Sequence, residues 1–142
     1  MLQNEFKELI QYSPHEIYII DATTFQYLYV NYGALNSIGY SYDELLSMSI
    51  YDINPYLTQE KIIELQNEEN EEGKVLNRTI HQRKDGSEYH VQSLIHTIKY
   101  QGTDAYVVFD TDVSEQVKTE ELLIKQTQLL NHQANHDTLT NL

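Results

Sequence analysis

The segment that most constrains the fold is residues 105–142, which begins with the pattern of a strand and continues with the pattern of a helix. Residues 105–109 are Ala-Tyr-Val-Val-Phe, the β-branched and aromatic composition of a buried strand. Asp112 and Glu115 form a helix-start pattern, because an Asp can accept a bond from an early helix amide while a Glu three residues later reaches back. Residues 115–135 contain neither Pro nor Gly and are predicted to form one helix about 30 Å long. The sequence therefore predicts a last strand that continues directly into a long helix.

Upstream of this segment, the predicted strands come in two groups with helices between them. Residues 16–21 and 25–31 are rich in β-branched and aromatic residues around a short Ala-Thr-Thr turn, which predicts a hairpin. Residues 75–83 and 88–100 flank Asp85-Gly86, which predicts a second hairpin because Gly tolerates positive φ. Helical spacing or capping patterns mark residues 1–12, 32–39, 41–46 and 59–72. This order predicts an α+β fold, in which a five-stranded antiparallel sheet carries short helices on one face, with a helix at each end of the chain.

Composition excludes several classes of function. The net charge of −13 disfavours nucleic acid and anionic membrane surfaces as partners. The absence of cysteine excludes disulfides, thiol catalysis and cysteine-ligated metal. No apolar run approaches the ~20 residues that a bilayer requires, and the first residues do not resemble a signal peptide, so we expect a cytoplasmic location. We find no nucleophile–base pair, phosphate-binding loop or metal-ligand set, and therefore expect no catalytic residues and no enzyme activity in this chain.

Four motifs, taken in order, resemble those of the PAS domain family over residues 6–115. They are Ile20-Asp21 with Tyr29-Val-Asn31, Gly-Tyr-Ser-Tyr-Asp-Glu-Leu at 39–45, Arg-Lys-Asp-Gly-Ser at 83–87 and Asp-Val-Ser-Glu at 112–115. The last is similar to the family's Asp-Ile-Thr-Glu junction, where the final strand passes into a signalling helix. The resemblance implies an N-terminal amphipathic helix (1–13), a PAS sensory domain (14–113) and a signalling helix (114–135). It also implies a role in signal transfer for Asp112, Ser114 and Glu115.

A second resemblance concerns residues 136–142, His-Asp-Thr-Leu-Thr-Asn-Leu, which are similar to the start of a GGDEF diguanylate cyclase domain. The signature and the nucleotide site of that domain are absent, so this chain alone is not expected to make cyclic di-GMP. A histidine kinase would instead show a Ser-His-Glu-Leu-Arg-like segment here. The resemblance implies the sensory PAS domain of a diguanylate cyclase. A ligand-free PAS dimerisation or spacer module and the PAS sensor of a histidine kinase remain alternatives.

The PAS resemblance implies a pocket between the sheet and the helices. LOV-type flavin chemistry and coumarate-type chromophores both use a cysteine, and the sequence has none. Haem-binding relatives usually present a His from the long helix, but residues 58–72 contain none. The cofactor is therefore left unknown, and a small organic ligand or an empty pocket both remain open. By resemblance to ligand-binding PAS domains, the polar residues expected in the pocket are His81, Ser93, Tyr106 and Asp110.

The histidines do not predict a metal site. His90 and His96 lie about 20 Å apart along one strand, too far to hold one ion. His132 and His136 share a helix face, but the Glu of a zinc-binding His-Glu-x-x-His helix is replaced by Gln133.

Two apolar surfaces predict a homodimer. Leu123 and Leu130 belong to a 4-3-4 spacing with Thr127 and Ala134, which is a short coiled-coil seam. The face of the sheet away from the pocket is expected to carry apolar side chains that need a cover, namely Leu94, Ile98, Val107 and Phe109. Either the first helix, through Leu2, Phe6 and Leu9, or a second copy of the chain could provide that cover.

Overall fold

In the computed structural model, which describes residues 2–67 and 74–140, the chain forms two units, Met1–Asp112 and Val113–Leu142. Side chains are described for residues 4–67 and 78–133. The helices are α1 (Leu2–Tyr12), α2 (Tyr32–Ile38), α3 (Tyr42–Leu46), α4 (Ile50–Ile53), α5 (Gln59–Asn67) and α6 (Ser114–Thr140). The strands are β1 (Glu16–Asp21), β2 (Tyr27–Val30), β3 (Lys74–Gln82), β4 (Glu88–Tyr100) and β5 (Thr103–Asp112).

The first unit is organised by a five-stranded sheet of order β2-β1-β5-β4-β3, in which all neighbours are antiparallel. The last strand of the chain, β5, therefore occupies the centre and bonds to both β1 and β4. The predicted α+β class, the antiparallel sheet and the C-terminal helix are confirmed. Because a central strand has a neighbouring strand on each side, the inward side chains of β5 are the most enclosed in the sheet.

The core lies between one face of the sheet and α2, α3 and α4. Its most enclosed side chains are Tyr18, Ile38, Leu45, Ile53 and Val91. Strand alternation explains which sheet residues reach it, since Val91 and Ser93 of β4 are buried whereas Leu94 is exposed. Predicted strand faces and observed burial agree here.

The short helices begin and end where the sequence supplies caps. Ser41 and Glu44 form the predicted capping box, with Ser41 Oγ accepting from the Glu44 amide at 3.1 Å and Glu44 Oε1 accepting from the Ser41 amide at 3.1 Å. Gly39 ends α2 with a φ of 88°, in the left-handed region that favours glycine. A further pair was not predicted: Asp52 Oδ2 accepts from the Ser49 amide at 2.8 Å at the start of α4.

Asn31 is a buried anchor that sequence reasoning missed. Its Oδ1 accepts from the amides of Ile17 and Ala34, both at 3.0 Å, and thereby caps α2. Its Nδ2 donates to the carbonyls of Ile10 and His15, both at 2.8 Å. One side chain therefore ties the end of α1, the start of β1 and the start of α2 together.

Several boundaries differ from the prediction for local reasons. Strand β2 is shorter than residues 25–31, because Phe25 has a φ of 61° and lies in the preceding turn. Strand β5 begins at Thr103 because Gln101 and Gly102, with φ of 48° and 80°, form a two-residue hairpin turn of the type with two positive φ angles. Helix α6 extends past residue 135 to Thr140. The predicted helical residues 68–72 lie outside the described residues.

Helix α1 does not cover the outer face of the sheet. Phe6 and Leu9 are 60% and 67% exposed, and Leu94 and Phe109 on the sheet also remain exposed. The helix lies instead against α2, where the rings of Tyr12 and Tyr32 are 5.0 Å apart. The prediction that Phe6 and Leu9 cover the outer face of the sheet is therefore wrong. Asn31 instead holds the C-terminal end of α1 by a hydrogen bond to the Ile10 carbonyl. The side chain of Leu2 lies outside the described residues, and cover by a second copy stays a prediction.

Candidate functional site

The first unit contains a partly enclosed cavity of about 90 Å³ between the sheet and the helices. All four polar residues predicted for the pocket line it: His81 of β3, Ser93 of β4, and Tyr106 and Asp110 of β5. Most of the remaining wall is apolar or aromatic and includes Ile20, Phe25, Tyr27, Leu57, Ile62, Leu65, Ile95 and Val108. The structure therefore brings the four predicted polar residues together around one cavity. Their role in binding a ligand stays a prediction.

Strand register explains why these residues meet. Tyr106, Val108 and Asp110 alternate along β5 and share its inward face. Across the sheet, Asp110 lies opposite Ser93 on β4 and opposite Glu16 on β1. Because β5 is central, Asp110 is enclosed by polar side chains from both neighbouring strands.

Asp110 is the most unusual group in the cavity. Its residue is 3% exposed, and its Oδ1 accepts a hydrogen bond of 2.5 Å from Ser93 Oγ. Burial raises the pKa of Asp110 to about 8, although the Ser93 bond opposes that rise. The carboxyl group is therefore protonated and neutral at pH 7.

His81 faces the other oxygen of this carboxyl. Its Nδ1 lies 3.6 Å from Asp110 Oδ2, which is too long for a hydrogen bond, and this buried Nδ1 has no hydrogen-bond partner among the residues whose side chains are described. Burial lowers the pKa of His81 to about 4. The short distance alone would suggest an ion pair. However, the attraction between two buried charges that share no hydrogen bond would not offset the free-energy cost of removing both from water. At pH 7 we therefore describe the contact as a neutral imidazole beside a neutral carboxyl group.

Glu16 is a second buried acid, which sequence reasoning missed. Its Oε1 accepts from the hydroxyls of Tyr18 at 3.0 Å and Tyr89 at 2.8 Å. Burial raises the pKa of Glu16, while the bonds from Tyr89 and Tyr18 act against that rise. The only sequence signal was an acidic residue at the start of a β-rich run, a position that is more often an exposed edge.

Polar contacts continue from Glu16 to the end of β5. The Arg83 guanidinium lies 4.1 Å above the Tyr89 ring, and its Nη2 is 3.8 Å from Asp112 Oδ2. Its Nε also donates to the Ser37 carbonyl at 2.9 Å. Asp112 is the last residue of β5, Ser114 is the first of α6 and Glu115 lies in the first turn of α6. A role in signal transfer for these three residues stays a prediction.

The cavity is also tied to α5. The amide nitrogen of Gln66 donates to the Tyr106 hydroxyl at 3.2 Å, and the side chain of Asn54 donates to Thr79 Oγ1. Gln66 and Asn54 both line the cavity. Neither contact was predicted. A polar residue on a short amphipathic helix, such as Gln66, is expected to be exposed to solvent, and Asn54 follows the end of α4.

The second unit presents apolar side chains along α6. Leu123 and Leu130 are 62% and 64% exposed, and Leu122, Ile124 and Leu129 are exposed as well. Thr127 is accommodated in the same helix by a 2.9 Å bond from its hydroxyl to the Leu123 carbonyl. The predicted pairing through Leu123 and Leu130 is not tested by a single chain and stays a prediction.

The chemistry available to the cavity is limited by its size and its donors. Drug-sized ligands occupy pockets of ~300–1,000 Å³, so this cavity has room for a molecule of only a few non-hydrogen atoms. Among the residues whose side chains are described, no three His, Asp or Glu side chains converge as metal ligands. Within the described part of the chain, no helix has the length and apolar character needed to cross a membrane.

Comparisons with known proteins point to one fold family. The family model for the PAS domain matches residues 14–115. The PAS domain of an HTR-like protein from Haloarcula marismortui is 22% identical, with a TM-score of 0.68 over 78% of this chain and 96% of the other. A PAS domain from a two-component sensor histidine kinase is 22% identical, with a TM-score of 0.63 over 79% and 99% of the two chains. A PAS domain from Colwellia psychrerythraea is 16% identical, with a TM-score of 0.69 over 81% and 99%. No curated protein sequence matches this chain.

Proposed function

The chain belongs to the PAS domain family and is a sensory PAS domain, and on that premise we propose that it is the input domain of a diguanylate cyclase. A small molecule in the cavity changes the state of Asp110 on β5. The change passes along this strand into α6, which pairs with α6 of a second copy. The paired helices then set how two cyclase domains approach each other, as a product made from two nucleotides requires.

The observation that carries the sensory part of this proposal is the position of Asp110. It is a buried acid on the cavity wall, and only one residue separates it from Asp112, where β5 ends. Because β5 continues through Val113 into α6, a shift of the central strand is coupled covalently to the start of the helix. A change in the charge of Asp110 could therefore shift the end of β5 and, through it, the start of α6.

Support for the cyclase comes from residues 136–142, His-Asp-Thr-Leu-Thr-Asn-Leu. The side chains of this segment lie outside the described residues, and its similarity to a cyclase domain is one of sequence alone. The test is synthesis of cyclic di-GMP from GTP by the full-length polypeptide of which this chain is the input domain. Synthesis supports the proposal, whereas autophosphorylation on histidine would identify a kinase instead.

A histidine kinase is retained as the second output. A PAS domain of a two-component sensor histidine kinase shares this fold, but at 22% identity this likeness extends to the fold only.

A ligand-free spacer is the alternative to the sensory role. Native mass spectrometry of freshly purified protein separates these two: a reproducible co-purifying small molecule supports a sensor, and a clean protein mass under every growth condition supports the spacer.

Pairing through α6 is supported by the exposure of Leu123 and Leu130. We expect light scattering to give a dimer for the wild type and a monomer for the double variant Leu123→Asp with Leu130→Asp, because two carboxylates would enter the apolar seam. A matched control, Gln126→Asp with Gln133→Asp, adds the same charge to other exposed positions of the helix and is expected to remain dimeric. An unchanged dimer in the leucine variant would move the interface to the exposed face of the sheet.

A further inference from the structure

We propose that the cavity selects a small organic ammonium ion, which lies against the aromatic wall and donates hydrogen bonds to Asp110 and His81. This inference rests on the proposed sensory function and deepens it by naming the class of ligand. Three independent features of the cavity support it: its aromatic faces, its charge and its hydrogen-bonding groups.

The first feature is the number of aromatic rings around the acid. Tyr18, Phe25, Tyr27 and Tyr106 all line the cavity that Asp110 enters. The rings of Tyr18 and Tyr27 lie 5.3 Å apart at 47°, so they are tilted rather than stacked face to face. Ring faces attract cations through the ring quadrupole, and several rings around one carboxyl group form the arrangement by which proteins bind organic ammonium ions.

The second feature is the sign of the charge. Among the described side chains that line the cavity, none is Lys or Arg, and Asp110 provides the one carboxyl group. Glu16, a second buried acid, lies opposite Asp110 on the neighbouring strand. The net charge of −13 adds a field that attracts cations and repels anions. An anionic ligand would meet no compensating group in this cavity.

The third feature is a buried acceptor that has no hydrogen-bond partner among the described residues, His81 Nδ1, which lies beside Oδ2 of Asp110. Ser93 occupies Oδ1 of Asp110, whereas Oδ2 faces His81 Nδ1 at 3.6 Å and no bond joins them. A buried polar atom without a partner is unfavourable, and His81 Nδ1 has none. A neutral imidazole presents one acceptor nitrogen, and a primary ammonium group has three donors. One ammonium group can therefore bond both Asp110 and His81.

Binding changes the protonation of the site in a defined way. The titratable groups that face Asp110 are His81 from β3, Glu16 and Tyr18 from β1, Tyr27 from β2 and Tyr89 from β4. The ligand enters as a cation, Asp110 becomes a carboxylate, and its proton passes to the solvent. His81 does not take up that proton, because it would become a second buried cation beside the first. Binding at pH 7 therefore releases close to one proton.

The test uses three probes that share a tert-butyl group and differ in charge: tert-butylammonium, tert-butanol and trimethylacetate. Tert-butylammonium and tert-butanol are isosteric, so this pair compares charge at constant size in a cavity of about 90 Å³. Titration calorimetry at pH 7 is carried out in two buffers that differ in protonation enthalpy, so that affinity and proton release are measured together. The variants are Asp110→Asn and, as the control, Asp104→Asn, which removes a charge from an exposed position of the same strand.

We expect the wild type and Asp104→Asn to bind tert-butylammonium at least tenfold more tightly than the other two probes, with release of close to one proton. Asp110→Asn is expected to lose at least tenfold in affinity for the cation and to release no proton. Equal binding of all three probes, tighter binding of trimethylacetate, or no binding of the cation would overturn the inference. If none of the three binds while a molecule of another charge co-purifies, the sensory function stands and the ammonium selectivity fails. Proton release in the wild type is a readout that remains valid even if Asp110→Asn does not fold.

Discussion

The protonation of Asp110 predicts a specific dependence of stability on pH, which Asp110→Asn should remove. An acid whose pKa is raised in the folded state stabilises the fold below its unfolded pKa, and this stability is lost as the pH rises through the folded pKa. For Asp110 that window runs from an unfolded value of ~3.9 to about 8. His81 acts in the opposite direction, because its pKa is lowered to about 4. Its contribution is present above the unfolded value of ~6.5 and is lost as the pH falls toward the folded value.

The two effects cancel over part of the range. Between pH 4 and pH 6.5 the folded state holds one more proton on Asp110 and one fewer on His81, so these two groups leave stability nearly flat. Of these two groups, only Asp110 differs in protonation between the folded and unfolded states from pH 6.5 to pH 8. With ~1.36 kcal/mol per pH unit, and with each group half titrated at its own end of the interval, the free energy of unfolding should fall by about 1.3 kcal/mol.

Urea denaturation at half-unit steps from pH 6.5 to pH 8 measures this fall. Asp110→Asn keeps the size of the side chain but cannot ionise, so its free energy of unfolding should remain nearly constant over the same interval. Asp104→Asn, the exposed control, should follow the wild type. A wild type without the fall, or a fall that persists unchanged in Asp110→Asn, would refute the assignment of a protonated acid to the cavity.

Three further substitutions test the supports of the cavity. Asn31→Ala should lower the free energy of unfolding by about 3 kcal/mol in urea titrations, since buried donors and acceptors lose their partners. Asn36→Ala, at an exposed position, is the control. An equal effect of both substitutions would contradict the anchoring role of Asn31. Gly33→Ala should cost about 2 kcal/mol or more by the same measurement, because its Cβ would lie 2.5 Å from the carbonyl of His15, and wild-type stability would show that the backbone there yields. Asp112→Ala tests the predicted cap at the start of α6: it should lower the melting temperature through a loss of ~0.5–2 kcal/mol, and an unmoved melting temperature would argue against that role.

Much of the fold can be derived from local sequence patterns. The hairpin at Asp85-Gly86 and the capping box at Ser41 and Glu44 depend on residues close together in the chain, and both were predicted. The inward face of β4 was also predictable, because a period of two determines which side chains share a face. Alternation placed Ser93 on one face of β4, and the resemblance to ligand-binding PAS domains then assigned that face, together with Asp110, to the pocket.

The remaining features depend on pairings that alternation cannot provide. Glu16 becomes a buried acid because β1 pairs with β5 and places it opposite Asp110, a contact between strands at opposite ends of the domain sequence. Asn31 joins three elements through one side chain, whereas the sequence indicated only the end of a strand at this position. Strand β5 begins before residue 105 because Gln101 and Gly102 form a two-residue turn with positive φ angles, which Gln rarely adopts. The sequence alone therefore does not predict the pairing register of strands that are distant along the chain, nor rare backbone angles.

The central claim is that the state of the cavity reaches α6 through β5. Amide chemical shifts of the isotope-labelled chain, followed from pH 6.5 to pH 9, test it directly, because ionisation of Asp110 then serves as the perturbation. We predict that amides of α6 beyond its first turn titrate with the same midpoint as the Asp110 carboxyl carbon, and that this titration disappears in Asp110→Asn. Shifts that stop at Asp112 while Asp110 itself titrates would contradict the claim.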